Sequence, residues 1–422
     1  MTAASKGSDS RPVGGVDTAR GHAGRAPVGG VLLMCGILAV AFNLRAAITS
    51  LPPIFPELTS VAGLSAPTEA ALAAVPVLSF AVVSGLAPLM ARRVGEERVI
   101  GLALVLLAGG LGLRAAAPGT GLFPGTIIAS GAIALMNVLM PSLIKRRRPD
   151  LAGLAIGMYM MTLTAGAVLA AAVAVPVFTA AGSGGASVRL ALGMWAIPAL
   201  LASAVWLAQL RFRTVPAADG GSRGVLAMAR QPLAWQVTAF MGLQSLSYYA
   251  TLSWFPTMFR DHGISAVQAG NLLALMNVGN AITGLLVPVL AHRARDQRPI
   301  ACAAVALIMV GLAGSAFAPN VAVIGFVALL GLGQGGAFSL AVFLFAARAA
   351  DSHTAASLSG FAQGIGYLVA SAGPLLLGFL RAATGSWTVP VLMLMVVAVA
   401  QLAAGLLAGR NRTVGAAQPV PA

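Results

Sequence analysis

The chain has 422 residues, of which 58% are hydrophobic and only 9% charged, and its mean hydropathy is +0.90. A soluble globular protein needs many more charged residues on its surface, so this composition excludes a soluble enzyme or binding domain. The net charge of +15 would suit a nucleic-acid-binding protein, but the basic residues lie between apolar segments rather than in one patch.

Segments of roughly 20 apolar residues, each long enough to cross the hydrocarbon core of a bilayer, recur along the chain. No segment alternates polar and apolar residues as a β-barrel strand does. The sequence therefore predicts an all-α polytopic membrane protein, preceded by a disordered cytoplasmic tail at 1–28. The twelve predicted spans are 29–51, 70–90, 99–117, 121–143, 151–177, 189–209, 233–256, 266–291, 299–317, 320–346, 354–380 and 387–408.

The 26 Lys and Arg residues are distributed asymmetrically between the connecting segments. If both termini face the cytoplasm, 21 of the 26 are cytoplasmic, and the exceptions are Arg45 within a span and Arg114, Arg189, Arg260 and Arg381 outside. This positive-inside pattern predicts a multi-pass protein with both termini in the cytoplasm. The expected surroundings are the lipid bilayer, with no nucleic-acid partner, and the basic run at 145–148 is interpreted as an interfacial anchor.

An internal repeat relates the two sides of the longest polar interruption, 211–232. The segment 54–72 aligns without gaps on 254–272, and six of the nineteen positions are identical. The segment 88–98 aligns on 288–298 at the same offset of 200 residues. An offset that is kept in two separate segments indicates a duplicated unit.

The repeat predicts two pseudo-symmetric six-helix bundles, 29–210 and 233–409. A cytoplasmic linker at 211–232 joins them, and a cytoplasmic tail at 410–422 follows. Two such halves, with a substrate site between them near the midplane, are the architecture of major facilitator transporters.

The loop after the second span, PLMARRVGEER at 88–98, resembles the Gly-x3-Asp-Arg-x-Gly-Arg-Arg motif of major facilitator proteins. It keeps Arg93 and Arg98 but lacks the usual Gly and Asp. In that family the loop charges pair across the cytoplasmic face and hold one conformational state. Arg93, Arg98 and Arg293 are therefore predicted to act in gating, with the acidic pair 96–97 as available partners. The alternative interpretation is a solvated cytoplasmic turn.

Polar residues inside a span are costly unless they pair or line water, so they are candidate substrate-binding residues. No Asp, Glu, Lys or His lies in the middle of a predicted span, which argues against a metal site and a conventional carboxylate proton relay. Helical spacing places Gln244, Tyr248 and Thr251 on one face of span seven, and span eleven repeats the pattern at Gln363, Tyr367 and Ser371. Further candidates are Asn137, Tyr159, Asn277, Asn280 and Gln334. The alternative for each is a cross-link between helices.

Arg45 is the only charged residue well inside a predicted span, away from its ends. One interpretation is structural, with the side chain snorkelling to the outer interface. The other is functional, because a guanidinium without a protein counter-ion can bind an anion through forked hydrogen bonds. The repeat counterpart of Arg45 is Ser245, so the predicted site carries one positive charge. That favours a small monoanion or a nitro compound over a dianion.

Four stretches resemble the cyanate/nitroimidazole porters of the major facilitator superfamily. They are NLRAAITSLPPIFPEL (43–58), MPSLIKRRRPD (140–150), GLQSLSYYATLSWFPTMF (242–259) and FAQGIGYLVASAGPLLLGFLRAATGSWT (361–388). The likeness runs from about residue 31 to 405 and departs at Ala46, where the family usually has Pro. The resemblance implies a secondary carrier of the bacterial inner membrane for cyanate, other small anions or nitroimidazole-like heterocycles. By position it implies substrate-binding roles for Asn43, Arg45, Thr49, Gln244, Tyr248, Gln363 and Tyr367.

These observations predict a monomeric alternating-access carrier with no enzymatic activity and no cofactor. The rival is a drug or metabolite efflux pump of the same fold, in which Arg45 is structural and the substrates are apolar or cationic. A membrane-embedded enzyme would need an acid–base pair or metal ligands within the bilayer, and a sensor would need a soluble output domain.

Overall fold

The computed structural model describes residues 27–182, 184–215, 222–318 and 320–414. Apart from an isolated bridge between Ala349 and Val414, these residues form helices and the turns that connect them. Most of the predicted tails at 1–28 and 410–422, together with linker residues 216–221, lie outside the described residues.

The first half of the chain forms nine α-helices within the described residues. They are α1 (Pro27–Thr49), α2 (Phe55–Ala62), α3 (Ala66–Val83), α4 (Ala87–Val94), α5 (Glu96–Ala116), α6 (Leu122–Arg147), α7 (Ala152–Ala180), α8 (Gly185–Gly193) and α9 (Ala196–Trp206). The second and sixth predicted spans are each divided between two of these helices, and the short α2 follows the end of the first span.

The second half is built from unbroken helices. After α10 (Ser222–Ala227) in the linker come α11 (Pro232–Asp261), α12 (Ala266–Arg293), α13 (Arg298–Phe317), α14 (Val323–Ala347), α15 (Ser352–Thr384) and α16 (Thr388–Ala408). Each of these last six helices corresponds to one predicted span and has 20 to 33 residues.

Two consecutive prolines explain the break between α1 and α2. Pro52 and Pro53 have no N–H, so the carbonyls of Ile48 and Thr49 lose the donors that would continue the helix. α1 therefore ends at Thr49, and the chain resumes as α2 after a short 3-10 helix. Arg45 lies one turn before this end.

Eleven helical segments in the described part of the chain are long and apolar enough to cross a membrane, and α11 is the twelfth long helix. α11 has 30 residues, about 45 Å, but it is more polar than the others. Every residue from 244 to 256 is buried, so protein rather than lipid surrounds this part of α11. A helix with many polar side chains must be shielded from lipid, which explains its central position.

Equivalent helices pack in the same way in the two halves. α1 packs against α7 as α11 packs against α15, and α5 packs against α6 as α13 packs against α14. A Cβ on Gly166 would meet the carbonyl oxygen of Phe42, and a Cβ on Gly242 would lie 3.1 Å from the Cα of Gly366. The two contacts are equivalent in the repeat, because Gly242 lies 200 residues after Phe42 and Gly366 lies 200 residues after Gly166. The predicted fold of two related helical bundles in a multi-pass membrane protein is confirmed.

The two halves meet along α3 and α15 and along α7 and α12. We refer to the end of the bundle that carries the linker as the linker side. We refer to the opposite end, with the turns at Gly63 and Gly263, as the turn side. These two glycines occupy equivalent positions in the repeat, and both have positive φ, 64° and 84°, which favours glycine.

Candidate functional site

A cavity of about 260 Å³ lies between the two halves, where α1 faces α11. Among the described residues, Arg45 is the one lining residue from the first half, and the others come from α11, α12, α14 and α15. Helical spacing explains the contribution of α11, because residues one turn apart share a face. The lining residues are Arg45, Gln244, Ser245, Tyr248, Tyr249, Asn280, Phe338 and Tyr367.

A tyrosine from the opposite half holds the Arg45 guanidinium. Arg45 Nη1 donates a hydrogen bond to the Tyr248 hydroxyl at 2.7 Å, and Arg45 Cζ lies 5.4 Å from the centre of the Tyr248 ring. Arg45 takes part in none of the ion pairs found among the described residues. A guanidinium carries five N–H donors, so Arg45 retains donors for a further acceptor.

All four tyrosines of the chain surround this arginine. Tyr248, Tyr249 and Tyr367 line the cavity, and Tyr159 of α7 is close enough to interact with the guanidinium electrostatically. The ring centroids of Tyr248 and Tyr249 are 5.1 Å apart, and those of Tyr249 and Tyr367 are 6.4 Å apart. Tyrosine combines an apolar ring with a hydroxyl, so these side chains can enclose a flat polar molecule without adding a second charge.

Amide side chains behind the lining hold the α11 residues in place. Tyr248 Oη donates to Asn277 Oδ1 at 3.2 Å, and the Asn277 amide donates to its own helix. Gln244 Nε2 donates to the Gln334 carbonyl at 3.2 Å, while Ser245 Oγ donates to Gln244 Oε1 at 3.1 Å. Asn277 and Gln334 are buried, so the structure places these two predicted site residues in a supporting layer.

Two predicted site residues of α1 point away from the cavity lining. Asn43 Nδ2 donates to the carbonyls of Ala39 and Pro198, which connects α1 with α9. Thr49 Oγ1 donates to the Arg45 carbonyl at 2.8 Å within the same helix. The structure therefore gives both side chains main-chain partners, and their substrate-binding role stays a prediction.

Gln363 and Asn137 also lie outside the lining. Gln363 Nε2 donates to Ser359 Oγ at 2.8 Å within α15. Asn137 is half-buried on α6 and is not among the cavity residues. Direct substrate contact by these two residues is likewise a prediction.

Two lining residues, Tyr249 and Phe338, were not predicted from the sequence, and Ser245 was identified only as the counterpart of Arg45. Tyr249 lies outside the single face that Gln244 and Tyr248 define. The signal that could have found it is the number of tyrosines, since all four lie in predicted spans. Phe338 has no such signal, because an aromatic residue in a span is typical of a helix-packing core.

The predicted gating arginines are exposed on the linker side. Arg93, Arg98 and Arg293 take part in none of the ion pairs in the described part of the chain, and their role in gating stays a prediction. The neighbouring Glu97 is instead fully buried, and its Oε1 accepts a hydrogen bond from Arg147 Nη1 at 2.8 Å. This contact fastens α5 to α6 within the first half.

Contacts on the turn side hold the two halves together. Arg260 Nη1 of α11 donates a hydrogen bond to Glu57 Oε2 on α2 at 2.8 Å, and Arg260 Nη2 forms an ion pair with Glu57 Oε1 at 2.8 Å. The ring centroids of Phe55 and Trp254 are 6.4 Å apart across the two halves, and within the second half Trp254 Nε1 donates to the Pro374 carbonyl at 2.9 Å. Along α11, Trp254 and Arg260 lie between the cavity residues and the turn at Gly263.

Comparison with known proteins places this architecture among transporters. Residues 33–374 match the model of the Major Facilitator Superfamily. The chain is 37% identical to the 2-nitroimidazole transporter of Escherichia coli (strain K12), with 91% of this chain and 97% of that protein covered. It is 30% identical to the cyanate transport protein CynX of the same organism, with 83% and 90% covered. A crystal structure of the nucleoside transporter NupG has a TM-score of 0.69 at 14% identity, with 89% of this chain and 98% of that chain covered.

Proposed function

This chain belongs to the major facilitator superfamily, and on that premise we propose that it is a secondary transporter of a small anion or polar heterocycle, cyanate-like or nitroimidazole-like. The proposed location is the bacterial inner membrane, with the linker side in the cytoplasm, and the positive-inside distribution of Lys and Arg supports this orientation. The observation that carries the substrate class is the Arg45 guanidinium, which lines the cavity without a carboxylate partner among the described residues.

The charge of the cavity sets the charge of the proposed substrate. A buried cation is costly unless an anion neutralises it, so binding of a monoanion at Arg45 offsets that cost. A nitro group presents two oxygen atoms in a plane, which suits the forked donors of a guanidinium as a carboxylate does. The polar side chains of Gln244, Ser245 and Asn280 can bond the remaining polar edge of the substrate.

The walls of the cavity favour a flat molecule. Tyr249, Phe338 and Tyr367 provide aromatic surface around Arg45. Aromatic rings pack well against planar groups, so a nitro-heterocycle would be held on its faces by rings and at its oxygen atoms by the guanidinium.

We propose alternating access as the mechanism. The Glu57–Arg260 pair and the Phe55–Trp254 contact close the turn side, so they must separate when the cavity opens to that side. The bond from Arg45 to Tyr248 also crosses between the halves. A substrate that binds the remaining donors of Arg45 and the polar side chains of the second half would therefore bridge the two halves at the centre and favour movement of one half relative to the other.

We also propose that no carboxylate of the cavity couples transport to protons. None of the described cavity residues is a carboxylate, so a proton relay through Asp or Glu has no group at the site itself. Transport would then be driven by substrate exchange, by a proton that the substrate itself carries, or by the substrate gradient alone.

One observation favours the rival function, an efflux pump in which Arg45 is structural. The chain of hydrogen bonds from Arg45 through Tyr248 to Asn277 connects α1, α11 and α12, as a purely structural cross-link would. An efflux pump of this kind would carry apolar or cationic compounds and would tolerate Arg45→Lys, since lysine can also donate to the tyrosine.

Uptake into proteoliposomes distinguishes the two functions. We expect Arg45→Gln to reduce saturable uptake of cyanate and of 2-nitroimidazole by about 100-fold or more, because truncating a buried charged contact costs several kcal/mol. Arg45→Lys keeps the charge but loses the fork, and we expect a reduction of about tenfold. The matched control is Arg189→Gln, which removes an exposed arginine of α8. Wild-type uptake by Arg45→Gln would contradict the anion site, and transport of apolar cations by both Arg45 variants would support the rival.

A further inference from the structure

Arg114 is a second arginine in apolar surroundings that the proposed substrate site does not use. It was predicted to lie outside the membrane, near the turn-side end of α5, but the structure buries it, with 2% of its surface exposed. Its Nε and Nη2 have no hydrogen-bond partner, and it takes part in no ion pair, among the described residues. A snorkelling arginine would turn its head group to the interface, so the burial of Arg114 needs another explanation.

The hydrogen bond that Arg114 does make goes to the place where α1 ends. Arg114 Nη1 donates to the Ala47 carbonyl at 3.2 Å. In a continuous helix this carbonyl would accept from the N–H of Leu51, but Leu51 N instead donates to the Ile48 carbonyl at 3.4 Å. The prolines at 52–53 remove the next two donors. The Ala47 carbonyl has thus lost its helical partner, and it accepts two side-chain bonds instead, from Ser50 Oγ at 3.4 Å and from Arg114, of which the bond from Arg114 is the shorter.

The end of α1 also explains how the charge of Arg114 is tolerated. The carbonyls at a helix C-terminus carry partial negative charge, and a cation beside them is stabilised, most strongly where water is excluded. The surroundings are apolar, since Leu51, Ala115 and Leu122 belong to one buried cluster. The carbonyl end of α1 takes the place of the missing carboxylate.

The equivalent positions of the second half can be compared with Arg114 and the end of α1. The counterpart of Arg114 in the second half is Gly314, which cannot donate from a side chain. The counterpart of the broken first span is α11, which runs without a break from Pro232 to Asp261. The arginine is thus present in the half whose helix is interrupted and absent from the half whose helix is continuous.

We propose that Arg114 is a positioning residue for substrate binding, which acts by fixing the last turn of α1 and therefore the direction of the Arg45 side chain. Ala47 lies two residues after Arg45, and the Arg45 carbonyl accepts a hydrogen bond from Thr49 Oγ1 within the same turn. A shift of this turn moves the guanidinium away from Tyr248 and from the cavity. The role of Arg45 in this inference rests on the proposed function.

The test uses the full-length protein and the variants Arg114→Met, Arg114→Lys and, as control, Arg189→Met. Hydrogen–deuterium exchange reports the end of α1 directly and needs no substrate. We expect Arg114→Met to increase exchange of the amides at 50–51 by about tenfold, the effect of losing one hydrogen bond to a charged group. We expect Arg114→Lys to restore most of the protection, because its ammonium can still donate to Ala47. Arg189→Met should exchange as the wild type does.

The transport readout uses 2-nitroimidazole uptake into proteoliposomes. A displaced Arg45 weakens binding, so for Arg114→Met we expect KM to rise about tenfold while kcat changes less than about threefold.

Unchanged exchange at 50–51, or faster exchange spread evenly over all helices, would overturn the positioning role. If Arg114→Met does not fold, Arg114→Gln, which removes the charge and shortens the side chain so that it no longer reaches the Ala47 carbonyl, replaces it in both measurements. If the wild type transports neither 2-nitroimidazole nor cyanate, the proposed function fails, and local exchange still decides whether Arg114 holds the end of α1.

Discussion

The two halves of this protein share one helical scaffold but contribute different chemistry to the cavity between them. Arg45 comes from the first half, and at the equivalent position of the second half stands Ser245. The polar and aromatic lining comes from the second half, whose α11 is buried through its central turns. The repeat therefore determines where the helices lie, and the site depends on positions at which the two halves have diverged.

On the linker side, in contrast to the cavity, the two halves make the same kind of contact at equivalent places. In the first half Glu97 accepts a hydrogen bond from Arg147, and in the second half the equivalent Gln297 accepts one from Arg348. Both contacts connect the start of the third long helix of a half, α5 or α13, to the end of the fourth, α6 or α14. One half uses a carboxylate and the other an amide, so this structural contact is kept across a change of charge.

The most severe way to break the asymmetry of the cavity is to place a second guanidinium in it. We expect Ser245→Arg to reduce 2-nitroimidazole and cyanate uptake by about 100-fold or more, because like charges at close range cost several kcal/mol. The double variant Arg45→Ser with Ser245→Arg restores a single charge and should recover at least about tenfold of the lost uptake. Uptake at the wild-type rate by Ser245→Arg alone would show that the number of charges in the cavity is irrelevant.

A milder change tests the contact between the halves. Tyr248→Phe removes the hydroxyl that accepts from Arg45 and donates to Asn277. We expect KM for 2-nitroimidazole to rise by about tenfold, because a hydrogen bond to a charged group is lost. The control is Tyr249→Phe, whose hydroxyl has no hydrogen bond among the described residues, and its effect should stay below about threefold. Equal effects of the two changes would mean that the hydroxyl bonded to Arg45 has no special role.

The turn-side ion pair tests how the halves separate. Arg260→Gln should favour the state that is open to the turn side by about fivefold to tenfold, since partly buried pairs of this kind contribute about 1 kcal/mol. Distances between nitroxide labels at Ser60 and Thr384, in a protein whose native cysteines are replaced by serine, measure that population.

The matched control for this measurement is Arg381→Gln. Its partner is Asp261, so the pair lies within the second half and joins no residue of the first half. The label distances should therefore keep their wild-type distribution. A distribution that shifts equally in both variants would show that the Glu57–Arg260 pair does not hold the turn side closed.

The smallest expected effect concerns the linker-side contacts. The Glu97 carboxylate accepts hydrogen bonds from Arg147 and from the main-chain N–H and the hydroxyl of Thr214. In Glu97→Gln the side-chain NH2 group cannot accept a hydrogen bond, so some of these donors lose their acceptor. We expect a loss of about 1–3 kcal/mol of stability, seen as a lower Tm in detergent. Gln297→Glu should change Tm less, since the loss of its bonds to main-chain carbonyls is offset by pairing with Arg348. A larger loss from Gln297→Glu would contradict the assignment of equivalent roles.

Much of the fold could be predicted from the sequence, because apolar length and an offset of 200 residues are strong signals. Arg45, Gln244, Tyr248 and Tyr367 were also predictable as cavity residues, since a polar group in a span must pair or line water. Tyr249 was missed because the prediction took functional residues from one helical face only and assigned the other faces to contacts with lipid or with the core. α11 is enclosed on all sides, so two of its faces carry functional residues.

Two of the predicted residues that do not line the cavity share one physical cause. Thr49 and Asn43 donate to carbonyls one turn earlier in their own helix, which satisfies a polar side chain without any partner in a cavity. Arg114 was assigned to the exterior for a related reason. Its burial depends on the Ala47 carbonyl at the end of α1, and a sequence does not show which helix end lies beside a given arginine.

The central claim is that one half supplies the charge that binds the substrate, and calorimetric titration of the purified protein with cyanate tests it most directly. We predict that Arg45→Gln binds cyanate about 100-fold or more weakly than the wild type at an unchanged Tm. Ser245→Ala, the change at the equivalent position, should bind within about threefold of the wild type. Equal affinity of the wild type and Arg45→Gln, with both proteins folded, would contradict the account.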